Sequence, residues 1–441
     1  MDAQVLYGPE KGGLFMDAAN LTPRQRRMKQ IWGMLALCIC GAAVYELPYL
    51  SWSYYDAAVE FYGVSNAQMG YLMTMYGLAC VISYLPAGWV ADKFQARHLI
   101  ATALVSTGFF GLILTFRPPY AVLMICYVSY GLTTTIPLWS AMMKATRELG
   151  DSSEMGRLYG FLEGGRGFVP VLYGAVIIPI FSYLGEGVGG FRAILIYFVV
   201  LDFICAFFAL GAIRKLRPDE EDTQEIQTKH KHSFGEYLDM MKNKNLWLLT
   251  LLMFCCFMIY ESYSYITPYL TNFFGVSESL GAMISLIKSY GLAVFGGIAA
   301  GFAADRIHSN PKVIGIGFSL MVIGIATFFV VPAEPKLLGL AAVTILVISL
   351  GLFMVRALYF AVIDEIKIPL KYTGMAVGFA SVIGCLPQIF IYSITGNLLD
   401  AFPGIRGYRY MFAYEFAKAL TGAVLAFILY RNIKKENSEN T

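Results

Sequence analysis

Twelve long apolar segments follow one another along this chain, and they decide what it can fold into. Each is long enough, at about 20 residues or more, to cross the apolar part of a bilayer as a helix. Only 14% of the residues are charged, whereas a soluble domain carries about 25%. Lipid must therefore surround most of the molecule. The predicted spans are 31–56, 68–91, 98–116, 120–144, 157–183, 192–213, 246–272, 279–303, 312–331, 337–363, 373–398 and 408–430.

Polar stretches flank and divide the spans, and they predict an all-α membrane protein built from two bundles of six transmembrane helices each. Within the central linker, four apolar residues recur at helical spacing and predict a short helix on the membrane surface: Phe234, Tyr237, Leu238 and Met241. The predicted parts are an N-terminal tail (1–30), a first bundle (31–213), the linker (214–245), a second bundle (246–430) and a C-terminal tail (431–441).

The distribution of Lys and Arg predicts how the chain lies in the membrane. If both termini are cytoplasmic, the cytoplasmic segments hold about 24 of these residues and the outer loops about 5. Positive residues accumulate on the cytoplasmic side of membrane proteins. We therefore expect an integral protein of a bacterial inner (plasma) membrane, monomeric, with both termini in the cytoplasm.

The two halves of the chain carry matching motifs in the same order, separated by about 211 to 220 residues. Because each half has six spans, the repeats have the same orientation and are related by an axis along the membrane normal. The matched pairs are Tyr45-Glu46 with Tyr260-Glu261, Gly63-Val64-Ser65 with Gly275-Val276-Ser277, Tyr76-Gly77-Leu78-Ala79 with Tyr290-Gly291-Leu292-Ala293, and Gly156 and Gly160 with Gly374 and Gly378.

A further match is a hexapeptide that closes the second span of each half. It reads Gly88-Trp-Val-Ala-Asp92-Lys93 in the first half and Gly301-Phe-Ala-Ala-Asp305-Arg306 in the second. With these motifs, the sequence resembles the major facilitator superfamily of secondary transporters over essentially the whole chain. The resemblance implies that Asp92 meets span 11 and Asp305 meets span 5. These contacts would latch the cytoplasmic gate and part when it opens.

Three cations lie within spans and break the repeat, which makes them candidates for binding an asymmetric substrate. They are Arg166 in the first half, and Lys288 and Arg356 in the second. A charge inside the membrane is costly and calls for a function or a partner. An anion held between the halves would draw them together, and arginine can bind a carboxylate or phosphate in a bidentate manner. The alternative is internal pairing, of Arg166 with Glu163 and of Arg356 with Asp364.

Aromatic and polar residues in the spans complete the expected substrate site, because spans 1 and 7 line the cavity in the family that the chain resembles. Some of the aromatics could instead be membrane-interface anchors. Prolines within spans predict bends or broken helices: Pro48, Pro86, Pro137, Pro170, Pro268 and Pro387. Beside the three cations, the expected substrate-binding residues are Tyr45, Tyr49, Tyr260, Tyr263, Trp139, Tyr359 and Gln388.

Carboxylic acids inside the spans are candidates for proton coupling. Glu46 and Glu261 are matched between the halves, and Glu163 lies one turn from Arg166. A buried carboxyl can carry a proton near neutral pH. The alternative is hydrogen bonding to neighbouring tyrosines or to backbone. Asp202, Glu415 and Lys418 receive no role from the sequence.

These features predict a secondary transporter for a small organic anion, coupled to protons or sodium. A neutral sugar or nucleoside symporter and a metabolite or drug exporter are the alternatives. The sequence contains no nucleophile–base set, metal cluster or phosphate loop, so no catalytic residues, metal or cofactor are predicted. No basic, aromatic-interleaved patch suggests nucleic acid. The expected partners are the substrate, the coupling ion and membrane lipid.

Overall fold

The computed structural model describes residues 22–150, 155–213, 240–368 and 373–438, and the regular structure within these ranges is helical. Twelve helical units follow one another in this part of the chain. They are α1 (Pro23–Glu46, continued by Leu50–Ser53 and Tyr55–Tyr62), α2 (Asn66–Lys93), α3 (Ala96–Leu114), α4 (Tyr120–Glu148), α5 (Met155–Tyr183), α6 (Gly187–Ala212), α7 (Lys244–Phe274), α8 (Glu278–Ile307), α9 (Asn310–Val330), α10 (Pro335–Leu358), α11 (Thr373–Gly384 and Pro387–Ala401) and α12 (Ile405–Ser438).

Eleven helical stretches in the described residues are long and apolar enough to cross a membrane. The remaining unit, α2, is a 28-residue helix. The predicted fold class, an all-α membrane protein with two bundles of six helices, is therefore confirmed. The first helix starts at Pro23 rather than at residue 31, because Thr22 and Gln25 form a capping box there.

Proline has different effects at different places in the spans. α1 breaks after Glu46, next to Pro48, and α11 breaks before Pro387. Pro137 lies in a π-helical turn of α4, and Pro268 follows a 3-10 turn in α7. Pro86, by contrast, lies inside an uninterrupted α2, as Pro170 does in α5. The helices that break beside a proline are thus α1 and α11, and a hydrogen bond from Trp52 to Tyr392 joins them across the two halves.

The two halves pack together mainly through α2 against α11 and α5 against α8. The helices of the first pair touch backbone to backbone. A Cβ atom added to Gly70 would lie 2.3 Å from the carbonyl oxygen of Tyr392, and one added to Gly396 would lie 2.3 Å from that of Asn66. Such close approach is possible only because glycine has no side chain.

Carboxylates hold the halves together at the ends of the helices remote from the chain termini, which we call the far face. The opposite ends, where α1 begins and α12 ends, form the terminal face. At the far face, Asp400 of α11 accepts hydrogen bonds from the backbone N–H groups of Asn66 (3.2 Å) and Ala67 (2.7 Å). Since these are the first residues of α2, the acid lies where the helix carries partial positive charge.

The second contact of this kind is related to the first by the internal repeat. Glu186, which follows α5, accepts from the N–H groups of Glu278 (3.0 Å) and Ser279 (3.2 Å) at the start of α8. Glu278 in turn accepts from the N–H of Gly187 at the start of α6, at 3.0 Å. Asp400 and Glu186 therefore form a symmetric pair, here called the far-face latch.

Several sequence predictions concern residues outside the described part. Most of the N-terminal tail and residues 214–239 of the linker lie there, including most of the predicted surface helix. Gly88 and Asp92 lie in the last turns of α2. The surroundings of these two residues are also outside the described part.

We expect Gly70→Val to keep the far face from closing, because the new side chain would collide with the backbone of α11. Ser285, which is buried under this face, would be replaced by cysteine in a background lacking the eight native cysteines. Labelling by an impermeant thiol reagent added from the far side should rise several-fold. Gly339→Val is the control, since no described atom lies within 4 Å of a Cβ there. Equal labelling of both variants would contradict the expectation.

Candidate functional site

A cavity of about 220 Å³ lies between the two halves. Its walls come from α1 and α5 in the first half and from α7 and α8 in the second. Carboxylate, guanidinium, hydroxyl and aromatic groups all face it, so it can bind a polar molecule. The lining residues are Gly41, Ala42, Tyr45, Glu46, Tyr49, Trp52, Ser53, Arg166, Pro170, Tyr260, Ser285, Leu286, Ser289 and Tyr290.

An aromatic ladder runs along one wall of the cavity and crosses from the first half to the second. The ring centroids of Tyr45 and Tyr49 are 6.4 Å apart, and those of Tyr49 and Trp52 are 5.2 Å apart in edge-to-face contact. Trp52 then meets Tyr260 of α7 at 5.4 Å. Edge-to-face packing is favourable for aromatic rings. The break in α1 between Glu46 and Leu50 places Tyr49 and Trp52 in this row.

Arg166 reaches from α5 towards α1 and is the cation that lines the cavity among the described residues. Its Nε donates a hydrogen bond to the carbonyl oxygen of Gly41 at 3.3 Å. The guanidinium carbon lies 5.4 Å from the ring centre of Tyr45 and 5.3 Å from that of Trp139, within the range of cation–π attraction. Trp139, which does not line the cavity, therefore contributes by positioning Arg166.

Arg166 also forms the ion pair with Glu163 that the sequence suggested as an alternative. Nη1 of Arg166 donates to Oε1 of Glu163 at 3.1 Å. The arginine side chain is 16% exposed, whereas the glutamate side chain is 62% exposed. Exposed ion pairs contribute only about 0–1 kcal/mol. Glu163 is thus a weak partner that an anion in the cavity could replace.

Glu46 lines the cavity close to the end of the first part of α1. It also borders a second, water-sized space of about 20 Å³ on the side of α6. Tyrosines of α1, α5, α6 and α8 interact with it electrostatically: Tyr54, Tyr173, Tyr197 and Tyr290. The predicted acid is thus at the boundary between the cavity and the interior of the first bundle.

Glu261, which matches Glu46 in sequence, is bound differently. It is buried and accepts a hydrogen bond from the hydroxyl of Tyr392 in α11. That hydroxyl accepts one from Nε1 of Trp52 at 3.1 Å. Glu261 does not line the cavity; it ends a chain of three groups that joins α1, α11 and α7. The alternative of hydrogen bonding to tyrosine therefore describes Glu261 better than Glu46.

The structure does not bring Lys288 to the cavity. A π-helical turn, Ile287–Gly291, directs it into the second bundle, where the whole residue is 1% exposed. Its Nζ donates to the carbonyl oxygen of Tyr263 at 3.0 Å and lies 4.5 Å from the ring centre of that tyrosine. Lys288 interacts electrostatically with Glu415 of α12. Glu415 is buried too and accepts from Ser262 at 2.6 Å. Lys288 and Glu415 thus interact inside the second bundle without forming an ion pair, and local sequence did not reveal this acid.

Arg356 lies behind the aromatic wall of the cavity. Its guanidinium carbon is 3.8 Å from the ring centre of Tyr260 and 5.3 Å from that of Phe257. Nη1 of Arg356 is buried and has no hydrogen-bond partner among the described residues. Tyr260 thus stands between this cation and the cavity.

The remaining predicted residues surround the site without lining it, as far as the described part of the chain shows. Tyr263 donates to the carbonyl oxygen of Ile345 at 2.9 Å. Tyr359 packs edge-to-face on Phe360 at 4.5 Å. The backbone of Gln388 touches α2, since a Cβ added to Gly77 would lie 2.7 Å from its carbonyl oxygen.

The gating motifs lie at the terminal face. The Nζ of Lys93 sits 3.8 Å above the ring of Trp89. Asp305 and Arg306 are exposed, and no described atom lies within 4 Å of a Cβ added to Gly301. The partners predicted for Asp92 and Asp305 therefore remain predictions.

The sequence missed several residues of the site and its closure. Ser285, Ser289 and Tyr290 line the cavity, and the acids of the far-face latch close it. Tyr290 belongs to a matched motif and could have been selected on that ground. Glu186 lies in the segment between α5 and α6, and Asp400 lies in the last turn of α11; an acid at such a place is ordinarily only solvated, so no local pattern identifies them.

We expect Lys288→Gln to destabilise the protein, because the buried Glu415 would lose its electrostatic interaction with Lys288. Removing an interaction of this kind costs on the order of 1–3 kcal/mol, less than the loss of a contacting ion pair. The double variant Lys288→Gln/Glu415→Gln should recover most of this loss. Thermal unfolding of the purified protein in detergent measures both. A single variant as stable as the wild type would show that the two residues do not depend on each other.

Comparison with known proteins agrees with the architecture. The sequence profile of the Major Facilitator Superfamily matches residues 34–392. The chain is 29% identical over 425 residues to the inner membrane protein YihN of Escherichia coli (strain K12), covering 93% of this chain and 98% of that one. It is 30% identical over 419 residues to the inner membrane protein YqcE of the same organism, covering 92% and 96%.

Two further similarities say less about this chain, one because it is short and the other because its sequence identity is low. The probable galactarate/D-glucarate transporter GudP of Bacillus subtilis (strain 168) is 26% identical over 98 residues, or 22% of each chain. Among solved structures, an inward-facing bacterial homologue of the human lysosomal transporter Spinster matches with a TM-score of 0.76 and 15% identity, covering 92% of this chain and 98% of that chain. The second similarity concerns the fold alone. The chain thus belongs to the Major Facilitator Superfamily, and it is an inner-membrane transporter rather than an enzyme.

Proposed function

We propose that the protein carries a small organic anion (a carboxylate, sulfonate or phosphorylated compound) across the inner membrane as a cation-coupled symporter. The observation that supports this is the position of Arg166. It is the cation of the described cavity lining, and its competing partner is the exposed Glu163. An arginine held by a backbone carbonyl and two rings can present its remaining N–H groups to an oxyanion.

The shape of the site adds to the proposal. The aromatic ladder and Tyr260 provide apolar faces, while Ser285 and Ser289 provide hydroxyl groups from the second half. A ligand with one anionic end and several hydroxyl groups would use both. GudP is named as a probable transporter of galactarate and D-glucarate, which are hydroxylated dicarboxylates, and that class of substrate is compatible with the proposal.

In this proposal Glu46 carries the coupling proton. Glu46 and Arg166 line the same cavity, so an ionised Glu46 would repel an anionic substrate and compete for the arginine. Protonation of Glu46 removes that charge and favours substrate binding. Binding of the proton would thus raise the affinity for the anion, and binding of the anion would raise the affinity for the proton, as symport requires.

The membrane orientation follows from the distribution of positive charges. With both termini in the cytoplasm, the far face is the outer side, and the structure is closed to the outside by the far-face latch. The hexapeptides at the terminal face would then latch the cytoplasmic gate in the opposite state. Asp92, Asp305 and their neighbouring glycines and cations keep the roles predicted from the sequence.

Arg166→Gln should abolish most anion uptake, because the substrate loses its charged partner. Purified protein in liposomes would be offered a panel of sugar acids, dicarboxylates, sulfonates and sugar phosphates under an imposed proton gradient, with neutral sugars and nucleosides alongside. For any transported anion, a loss of at least about tenfold, or about 1.4 kcal/mol, is expected. Arg192→Gln is the matched control, since Arg192 is exposed and lies by Phe61. Transport of neutral solutes alone would refute the anion proposal.

Glu46→Gln should uncouple transport from protons while leaving exchange of the anion intact, because glutamine imitates the protonated acid. The measurement compares accumulation driven by a proton gradient with exchange of labelled against unlabelled substrate. Accumulation should fall to the equilibrium level, and exchange should change by less than threefold. Glu60→Gln, at an exposed position in α1, should behave as wild type. If Glu46→Gln still accumulates substrate, Glu46 is not the coupling group. Replacing the sodium ions in every solution of the same assay tests whether transport is coupled to sodium.

A further inference from the structure

The proposed transport cycle makes no use of Asp202, yet this residue has the most unusual environment of any acid described. It lies in the middle of α6 and is 0% exposed. Neither of its carboxyl oxygens has a hydrogen-bond partner among the described residues. An ionised carboxylate without donors is strongly disfavoured in such a place, whereas the protonated acid is tolerated.

We propose that Asp202 is a second proton-binding site of the first bundle, electrically linked to Glu46. The site itself follows from the geometry. Its part in coupling rests on the proposed function.

The groups around Asp202 are acidic or neutral. α6 packs against α3 and α1. On α3, a Cβ added to Gly108 would lie only 3.3 Å from the Cβ of Asp202, so a small residue makes room for the acid. The titratable groups that face Asp202 are Glu46 and Cys40 on α1, Tyr130 on α4, Tyr173 on α5 and Cys205 on α6 itself. None of these neighbours is a cation, so only a proton can neutralise the acid.

A water-sized space lies between the cavity and the part of α6 that precedes Asp202, although Asp202 itself does not line it. The space of about 20 Å³ is lined by Glu46, Tyr54 and Phe198. Phe198 stands one helical turn before Asp202 on α6. About 10–15 Å³ is enough for one water molecule. A proton could therefore pass between the two carboxyl groups: the O–H bond at Asp202 breaks, one forms at Glu46, and the charge of the pair stays the same.

The second bundle shows what happens when such an acid has a cation. Glu415 lies 213 positions after Asp202, within the range that separates the matched motifs, and also in the last helix of its bundle. It accepts from Ser262 and interacts with Lys288. The second bundle thus has a cation that interacts with its buried acid, whereas the described titratable groups around Asp202 include no cation. This difference favours proton binding in the first bundle.

Infrared spectroscopy of the protein in liposomes tests the proposal without any substrate. A protonated carboxylic acid has a carbonyl stretching band separate from that of a carboxylate, and the band shifts in D₂O. Wild type should show this band at neutral pH, and Asp202→Asn should weaken it by the contribution of one carboxyl group, since a protonated Glu46 absorbs in the same region. The control is Lys288→Gln/Glu415→Gln, which removes the paired acid of the second bundle and should keep the band. If Asp202→Asn does not fold, Asp202→Glu should keep the band at a changed frequency.

The link to Glu46 is tested by titrating the same band. The contribution of Asp202 is the difference between spectra with and without Asp202→Asn, measured in wild type and in Glu46→Gln. Its midpoint should move to lower pH, by on the order of one unit, when the neighbouring acid is removed. A band unchanged by Asp202→Asn would overturn the site, and an unmoved midpoint would overturn the link. If the band behaves as expected but no anion is transported, the proposed substrate is wrong and the proton site stands.

Discussion

The closure of the structure at its far face depends on carboxylates placed at the N-termini of helices from the opposite half. Asp400 binds the start of α2, and Glu186 binds the start of α8. Each acid meets both free N–H groups and the positive end of a helix, so one side chain satisfies several donors. The hexapeptides at the terminal face were predicted to use the same physics, with Asp92 and Asp305 directed at helices of the other half. A molecule with carboxylate contacts of this kind at each face can break those at one face while it forms those at the other.

The cavity is a consequence of this closure and of the break in α1. With the far face shut, Trp52 reaches α7 and α11, and the aromatic ladder becomes continuous between the halves. The two halves therefore resemble each other least closely at the cavity. Glu46 faces the cavity, whereas its counterpart Glu261 is held by Tyr392. An asymmetric molecule can only be distinguished where the two halves differ, so the loss of symmetry at this depth is what binding needs.

The sequence predicted the fold and the duplication because both produce local patterns, namely long apolar runs and short motifs that recur in the same order. It also predicted Arg166, Tyr45, Tyr49 and Tyr260 as substrate-site residues, and all four line the cavity. Arg166 was predicted because it breaks the repeat, and the tyrosines because spans 1 and 7 line the cavity in the family that the chain resembles. It could not predict the partner of Lys288, because Glu415 is 127 residues away and the π-helical turn changes which way α8 presents its side chains. The far-face latch was missed for a similar reason: its acceptors lie at or beyond the ends of helices, and most of its donors are main-chain groups of the other half.

That most of the latch donors are main-chain groups has a consequence for how such proteins can diverge. Every residue except proline supplies the same N–H at the start of α2 or α8, although at Asn66 the side-chain amide also donates to Asp400, at 2.8 Å. The constraint along this seam falls on one carboxylate in each half, Glu186 and Asp400, and on the glycines that let α2 and α11 touch, such as Gly70 and Gly396. Two transporters of this construction could therefore differ at many other positions of the seam and still close in the same way.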